Sequence, residues 1–284
     1  MIPAPFEYFA PATIDEALGL LREHSDAKVL AGGQSLMPAL RLRLAAPDTI
    51  VDLAKIDELR GVRDDGDVLV IGAMTPHSVV QSSPVVNEHA RLISLATATV
   101  GDPQIRHRGT FGGSLAHADP AADLPAVAVA LDASFVIAGP DGRRTVSAAD
   151  FFQGVFSTAL GEDELLVEVR VPKYTGWGAH YEKFNRVAQA WSIVSVAAAV
   201  RLDGDSIAEA RVALGNMGST PVRATAVEQA LVGGPATADA VREAAARAAD
   251  GTSPVTDLNG DADYRRHLAT VLTRRAVLAA AGTA

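Results

Sequence analysis

At 284 residues with 48% apolar side chains, the chain is long enough for two ordinary domains, or one large one, around a substantial core. It contains no cysteine, which excludes disulfides, thiolate metal ligands, iron–sulfur ligation and a cysteine nucleophile. A net charge of −9 argues against nucleic-acid binding, no apolar run approaches the ~18 residues of a membrane span, and the opening Met1-Ile2-Pro3-Ala4-Pro5 lacks the basic region of a signal peptide.

In chain order, residues 6–9 read as a short strand. Thr13 and Glu16 form a capping box, with the threonine capping a helix and the glutamate reaching back. Ala17, Leu18, Leu20 and Leu21 continue as its apolar stripe. A brief strand at 28–30 feeds a helix over 35–44 with Leu36, Leu40 and Leu44 on one face, and a strand at 49–53 completes a small α/β unit. Residues 68–73 are a buried strand. Thr75 and Pro76 open a helix, Pro76 lying in the first turn, where its missing N–H has no partner to lose. A further helix spans 89–98. Residues 101–125, rich in Gly, Asp, Pro and His, read as a long functional loop. A helix at 124–131 precedes a hairpin of 135–138 and 143–146, and a strand over 165–171 is stopped by Pro172. The pattern pauses at 174–178, which divides the chain into residues 1–176 and 177–284. Strands at 179–185, 191–202 and 207–214 are followed by helices at 222–231, 237–249 and 262–281, an α+β order.

Two glycine-rich turns stand out. Ala31-Gly32-Gly33-Gln34-Ser35-Leu36 follows the second strand, and Thr110-Phe111-Gly112-Gly113-Ser114-Leu115 lies in the polar stretch. Paired glycines let backbone approach a ligand closely and adopt positive φ without strain. Bare N–H groups can hold an anion without a lysine, and two such cradles suit a ligand with two linked phosphates. Ser35 adds a hydroxyl, and a helix starting there adds a positive dipole end. Neither a Rossmann fingerprint nor a P-loop is present, so nucleotide hydrolysis is disfavoured.

Other polar residues carry weaker signals. Asp102, His107, His117, Asp119 and Asp123 cluster in sequence but match no standard zinc spacing. They read first as loop polars, with one aspartate free to bond a ribose hydroxyl or ring amide. Ser35 and Ser114 sit beside glycines but outside Gly-x-Ser-x-Gly, which argues against a hydrolase. Trp191 and Tyr181, both read as strand residues, either stack on a flat ring or belong to the core.

These segments resemble the medium, FAD-binding subunit of the molybdenum hydroxylases, of the carbon monoxide dehydrogenase type within the xanthine dehydrogenase group. The resemblance rests on residues 31–36, 99–106 and 109–125, then on Tyr181-Glu182-Lys183-Phe184 and Asp263-Tyr264-Arg265-Arg266-His267-Leu268, in order along nearly the whole chain. It implies an α+β fold: a PCMH-type, two-subdomain FAD-binding domain followed by a small α+β C-terminal domain of antiparallel sheet plus helices. It implies non-covalent FAD, with Ala31, Gly32, Gly33, Gln34 and Ser35 on one side of the diphosphate and Thr110, Gly112, Gly113 and Ser114 on the other. Val100 and Gly101 would lie near the flavin, Asp123 would bond the adenosine or diphosphate region, and Lys183 and Trp191 would lie near the isoalloxazine ring. The chain departs from relatives at Ser114, His107 and Trp191. No residue is assigned acid, base or nucleophile chemistry.

The resemblance further implies an electron-transfer role. A large subunit would hold the molybdenum cofactor, and a small one two 2Fe-2S clusters that pass electrons to FAD here and on to an external acceptor. The assembly implied is a cytoplasmic dimer of heterotrimers. A self-contained FAD oxidoreductase fits less well, because the C-terminal part is small and Gln34 offers no covalent flavin attachment. A flavin-free scaffold would not need both glycine pairs.

Overall fold

The computed structural model describes residues 2–283. Strand β1 (Glu7–Phe9) leads to helix α1 (Ile14–Glu23), where the Thr13 hydroxyl accepts from Glu16 N at 3.2 Å and the Glu16 carboxylate accepts from Ala12 N at 2.8 Å. Strand β2 (Lys28–Leu30), helix α2 (Leu36–Leu42) and strand β3 (Thr49–Asp52) follow, and the three strands form a parallel sheet in the order β1-β3-β2. Helix α2 is shorter than its leucine spacing predicts. Arg43 adopts left-handed φ +58° and ends the helix, so Leu44 lies outside it and is 80% exposed, while Leu40 alone of the three is buried.

The second subdomain is an antiparallel sheet in the order β4-β5-β10-β6-β7. Its strands are β4 (Val62–Asp65), β5 (Val68–Gly72), β6 (Ser134–Gly139), β7 (Gly142–Ser147) and, after α9 (Ala148–Phe151) and the small hairpin of β8 (Phe152–Gly154) and β9 (Ser157–Thr158), β10 (Leu165–Pro172). The sequence pattern hides β4, because an edge strand reading Val-Arg-Asp-Asp buries almost nothing. Between β5 and β6 run six helices: α3 (His77–Ser82), α4 (Pro84–His89), α5 (Arg91–Thr97), α6 (Pro103–Arg108), α7 (Phe111–His117) and α8 (Asp123–Ala130).

Three expectations are corrected here. Pro76 caps α3 from outside rather than sitting in its first turn. His89 closes α4, and α5 is a separate helix starting at Arg91. Residues 101–125 are not a long loop, because α6 and α7 fill them. Asp102 caps α6 with Pro103 at its first position, and Thr110 caps α7.

The C-terminal part is an antiparallel meander of β11 (Gly178–Phe184), β12 (Val194–Asp203), β13 (Ser206–Gly215) and β14 (Val222–Arg223), with α10 (Thr225–Leu231), α11 (Ala238–Ala245) and α12 (Ala262–Ala281) on one face. The segment 222–231, expected to be helical throughout, begins as β14 paired with β13. Its core gathers Val194, Val196, Ala198 and Val200 of β12 under α12. The opposite face of the sheet, through Tyr181, Ala197, Ala199 and Ala213, joins the core of the second subdomain. Helix α8 lies in that seam with all eight of its residues buried. Among the described residues no helix is long and apolar enough to cross a membrane.

Candidate functional site

The first glycine turn links β2 to α2. Gly33 takes φ +74°, which L side chains adopt only under strain. Gly32 faces Arg108 O and Gly109 Cα, the latter only 2.6 Å from where a Cβ would sit. The Gln34 amide donates to Gly32 O at 3.1 Å, bracing the turn. Among the described residues, the backbone N–H groups of Gly32, Gly33, Gln34 and Ser35 have no protein partner. The Ser35 hydroxyl does not cap α2 either. A run of unpartnered donors is costly unless water or a ligand takes them, and it suits an anion.

The second turn is built differently. Its residues form the first turns of α7, and neither Gly112 nor Gly113 has positive φ. The N–H groups of Phe111, Gly112, Gly113 and Ser114 are committed to Thr75 O, Ala73 O, the Thr110 hydroxyl and Thr110 O. This corrects the expectation of bare backbone donors on both turns. The glycines here permit close packing: a Cβ on Gly112 would meet Ala73 Cα at 2.6 Å, and one on Gly113 would meet Ala31 Cβ at 3.2 Å. The two turns therefore touch each other, Gly32 on Gly109 and Ala31 on Gly113. Beneath them lies His77, whose backbone N–H donates to Gly109 O at 2.9 Å. The residue is 3% exposed, with no partner for its ring Nδ1 among the described residues, and burial with nearby Arg106 pushes its pKa down to about 4.

The third wall is the segment 99–102. Gly101 has φ +49° and lies against the Ile105 side chain, and Arg106 Nη1 holds Val100 O at 3.0 Å. Asp102 caps α6 through Ile105 N and accepts from Gln189 Nε2 at 2.8 Å, which ties the wall to the connection between β11 and β12. That connection carries Trp191. The expectation of a strand from Trp191 fails because Ser192 N and Oγ turn the chain onto Ala121 O, and pairing begins only at Val194. Trp191 is 53% exposed, so it is not a core residue.

Asp123 and Lys183 meet across the two parts of the chain. Lys183 Nζ donates to Asp123 Oδ2 at 3.0 Å and to Thr99 O at 3.1 Å, and the Tyr181 hydroxyl donates to Asp123 Oδ1 at 2.8 Å. All three side chains are buried or nearly so. Burial pushes the Asp123 carboxyl above its usual range, against the opposing pull of Lys183 and the Tyr181 hydrogen bond, and drives the Tyr181 hydroxyl well up. Asp123 thus directs both oxygens at protein groups, with Lys183 holding the carbonyl just before Val100. Tyr181 combines a core ring with a polar tip, a role its sequence position alone did not distinguish from simple core.

The remaining polar residues of the stretch are engaged singly. His107 Nδ1 bonds Pro103 O at 2.7 Å, Asp119 accepts from Ala121 N at 2.9 Å, and His117 packs its ring on Phe156. Among the described residues no group of three or more His, Asp or Glu side chains gathers to hold a metal ion.

Comparison with known proteins shows the family to which the chain belongs. The family described as the FAD binding domain in molybdopterin dehydrogenase matches residues 4–174, and the CO dehydrogenase flavoprotein C-terminal domain matches 179–280. The chain belongs to this flavoprotein family. It is 44% identical to the carbon monoxide dehydrogenase medium chain of Hydrogenophaga pseudoflava over 99% of this chain and 98% of that one. It is 37% identical to the glyceraldehyde dehydrogenase medium chain of Sulfolobus acidocaldarius over 97% and 98%. The solved carbon monoxide dehydrogenase from H. pseudoflava, in a form lacking the Mo-pyranopterin moiety, superposes with a TM-score of 0.96 at 45% identity, covering 100% of this chain and 99% of that one. This flavoprotein binds FAD, and the unpartnered N–H groups of the first turn are donors of the kind an anionic group takes.

Proposed function

We propose that this flavoprotein is the electron-transferring FAD subunit of a molybdenum hydroxylase complex, and that the first glycine turn is its diphosphate site. The observation that carries the reading is the run of four unpartnered backbone N–H groups from Gly32 to Ser35, braced by Gly109. Charge-assisted hydrogen bonds contribute about 1.5–3 kcal/mol each, so four of them supply about 6–12 kcal/mol, a large share of the ~12 kcal/mol of a nanomolar complex. Ala31 and Gly113 supply the close packing beneath, and Ser114 and Thr110 edge the opposite side. Lys183, fixed between Asp123 and Thr99 O, sets a positive charge beside Val100 and Gly101. Trp191 offers an exposed ring face from the β11–β12 connection. FAD, when bound, supplies the redox chemistry, and the chain supplies binding, orientation and electrostatics.

Relatives are named as the medium chains of carbon monoxide and glyceraldehyde dehydrogenases, the medium subunit of a nicotine 6-hydroxylase and the beta subunit of a caffeine dehydrogenase. In keeping with them, the partners proposed are a large subunit with the molybdenum cofactor and a small one with iron–sulfur clusters, assembled as a cytoplasmic dimer of heterotrimers. Residues 1–176 and 177–284 are proposed as its two domains.

The test is to purify the chain with its co-expressed partners, release bound cofactor by denaturation and identify it by mass. One FAD per chain, lost on Gly33→Val while the complex stays assembled, supports the site. FAD retained in that variant overturns it, and a complex without molybdenum or iron overturns the assembly.

A further inference from the structure

The C-terminal part contains a cavity of about 480 Å³ that no step of electron transfer requires. It opens between α11, α12 and β11, the edge strand of the meander. Side chains alternate across a strand. His180 and Glu182 therefore line this cavity, while Tyr181 and Lys183 face Asp123 on the other side.

The lining is basic in a chain of net charge −9. Arg242 comes from α11, Arg274 and Arg275 from α12 and His180 from β11, against the single carboxylate of Glu182, with Leu278 as an apolar floor. The three arginines are poorly matched within the protein. Among the described residues Arg274 has no carboxylate partner. Arg275 reaches Glu182 only at 3.9 Å, and Glu182 is already engaged by His180 at 3.0 Å. The Arg242–Asp239 pair joins two well-exposed side chains one helical turn apart, a contact of little strength.

We propose that this cavity binds a small polyanion carrying two or more carboxylate or phosphate groups. Guanidinium forks match such oxygens two at a time, and here they converge from two helices onto one concavity rather than spreading over a flat face. The volume lies within the ~300–1,000 Å³ typical of small-ligand pockets, and an apolar floor leaves room for a short carbon skeleton. Glu182 is the one group that opposes an anion there.

The experiment is calorimetric titration of the FAD-loaded chain with citrate and, separately, with inorganic pyrophosphate. The expected result is one saturable site for at least one of them, with citrate alone marking a carboxylate ligand and pyrophosphate alone a phosphate. The double variant Arg274→Ala/Arg275→Ala should weaken binding by about ten-fold or more, the scale of one lost charge-assisted contact. Glu182→Gln should tighten it. The FAD-to-protein ratio should stay unchanged in both variants, which separates this site from the cradle. Two results would overturn the proposal: no saturable heat with either anion at millimolar concentration, or binding unaltered in the double variant.

Discussion

The two glycine pairs look alike in sequence and do opposite work. Gly32 and Gly33 sit in an irregular turn with positive φ at Gly33 and leave their N–H groups without protein partners. Gly112 and Gly113 sit inside a helix, and their N–H groups are taken by Ala73 O and the Thr110 hydroxyl. The first pair shapes a surface, and the second lets α7 lie directly on β5 behind it. A Gly-Gly step therefore reports close approach, and only the hydrogen-bond accounting says whether a ligand or the protein does the approaching.

This contrast can be broken by experiment. The largest effect is expected at the packed pair. Gly112→Val drives a branched side chain into Ala73 backbone and should cost about 3 kcal/mol or more, read as a lower urea midpoint of the FAD-free chain. Next comes His77, the floor beneath Gly109. Its pKa is lowered from 6.5 to about 4, so below pH 6.5 the unfolded chain takes up a proton that the folded chain refuses. Stability should fall as pH drops through that window, by up to about 3 kcal/mol near pH 4, with no contribution above 6.5. His77→Phe should flatten this dependence in denaturation curves across the range.

At the open turn the balance should reverse. Gly33→Ala should cost only about 1–2 kcal/mol of stability through its left-handed backbone but weaken FAD binding by roughly ten-fold or more, measured by flavin fluorescence titration. If its melting temperature drops as far as that of Gly112→Val and FAD binding does not change, the distinction fails. The smallest effects sharpen it. Thr110→Ala removes the cap of α7 and should cost about 1 kcal/mol. Ser35→Ala, whose hydroxyl caps nothing, should stay within about 0.5 kcal/mol and register only in FAD affinity.

Legibility in the sequence followed the same division between local and distant causes. Thr13 and Glu16 lie three residues apart, and both halves of the expectation are met nearly in place: Thr13 caps the helix, and Glu16 reaches back, though to Ala12 N, one residue before the cap. The 20 residues of α12 and the hairpin of β6 and β7 lie where the sequence predicts a helix over 262–281 and a hairpin of 135–138 and 143–146. The stretch 101–125 misled because Asp102, Pro103 and Thr110 read as loop composition, although each also starts a helix. The glycines of α7 completed the disguise, since Gly112 packs on Ala73 and Gly113 on Ala31, both far back in the chain. Lys183 and Asp123 stand 60 positions apart, and nothing local in either segment announces that they pair. Trp191 was misplaced for the same reason: the Ser192–Ala121 contacts that keep it out of β12 span 71 positions.

Helix α8 ties these threads together. Asp123 at its start is gripped by Tyr181 and Lys183, and Asp132, just past its end, by Arg211 and Arg223. Between those points every residue is covered, in part by β12 and β13. A protease that nicks the exposed turn near Gly176 should therefore release nothing. The two polypeptides would stay together through chromatography, melt as one, and separate only in denaturant, because the covalent joint is the least of what connects them.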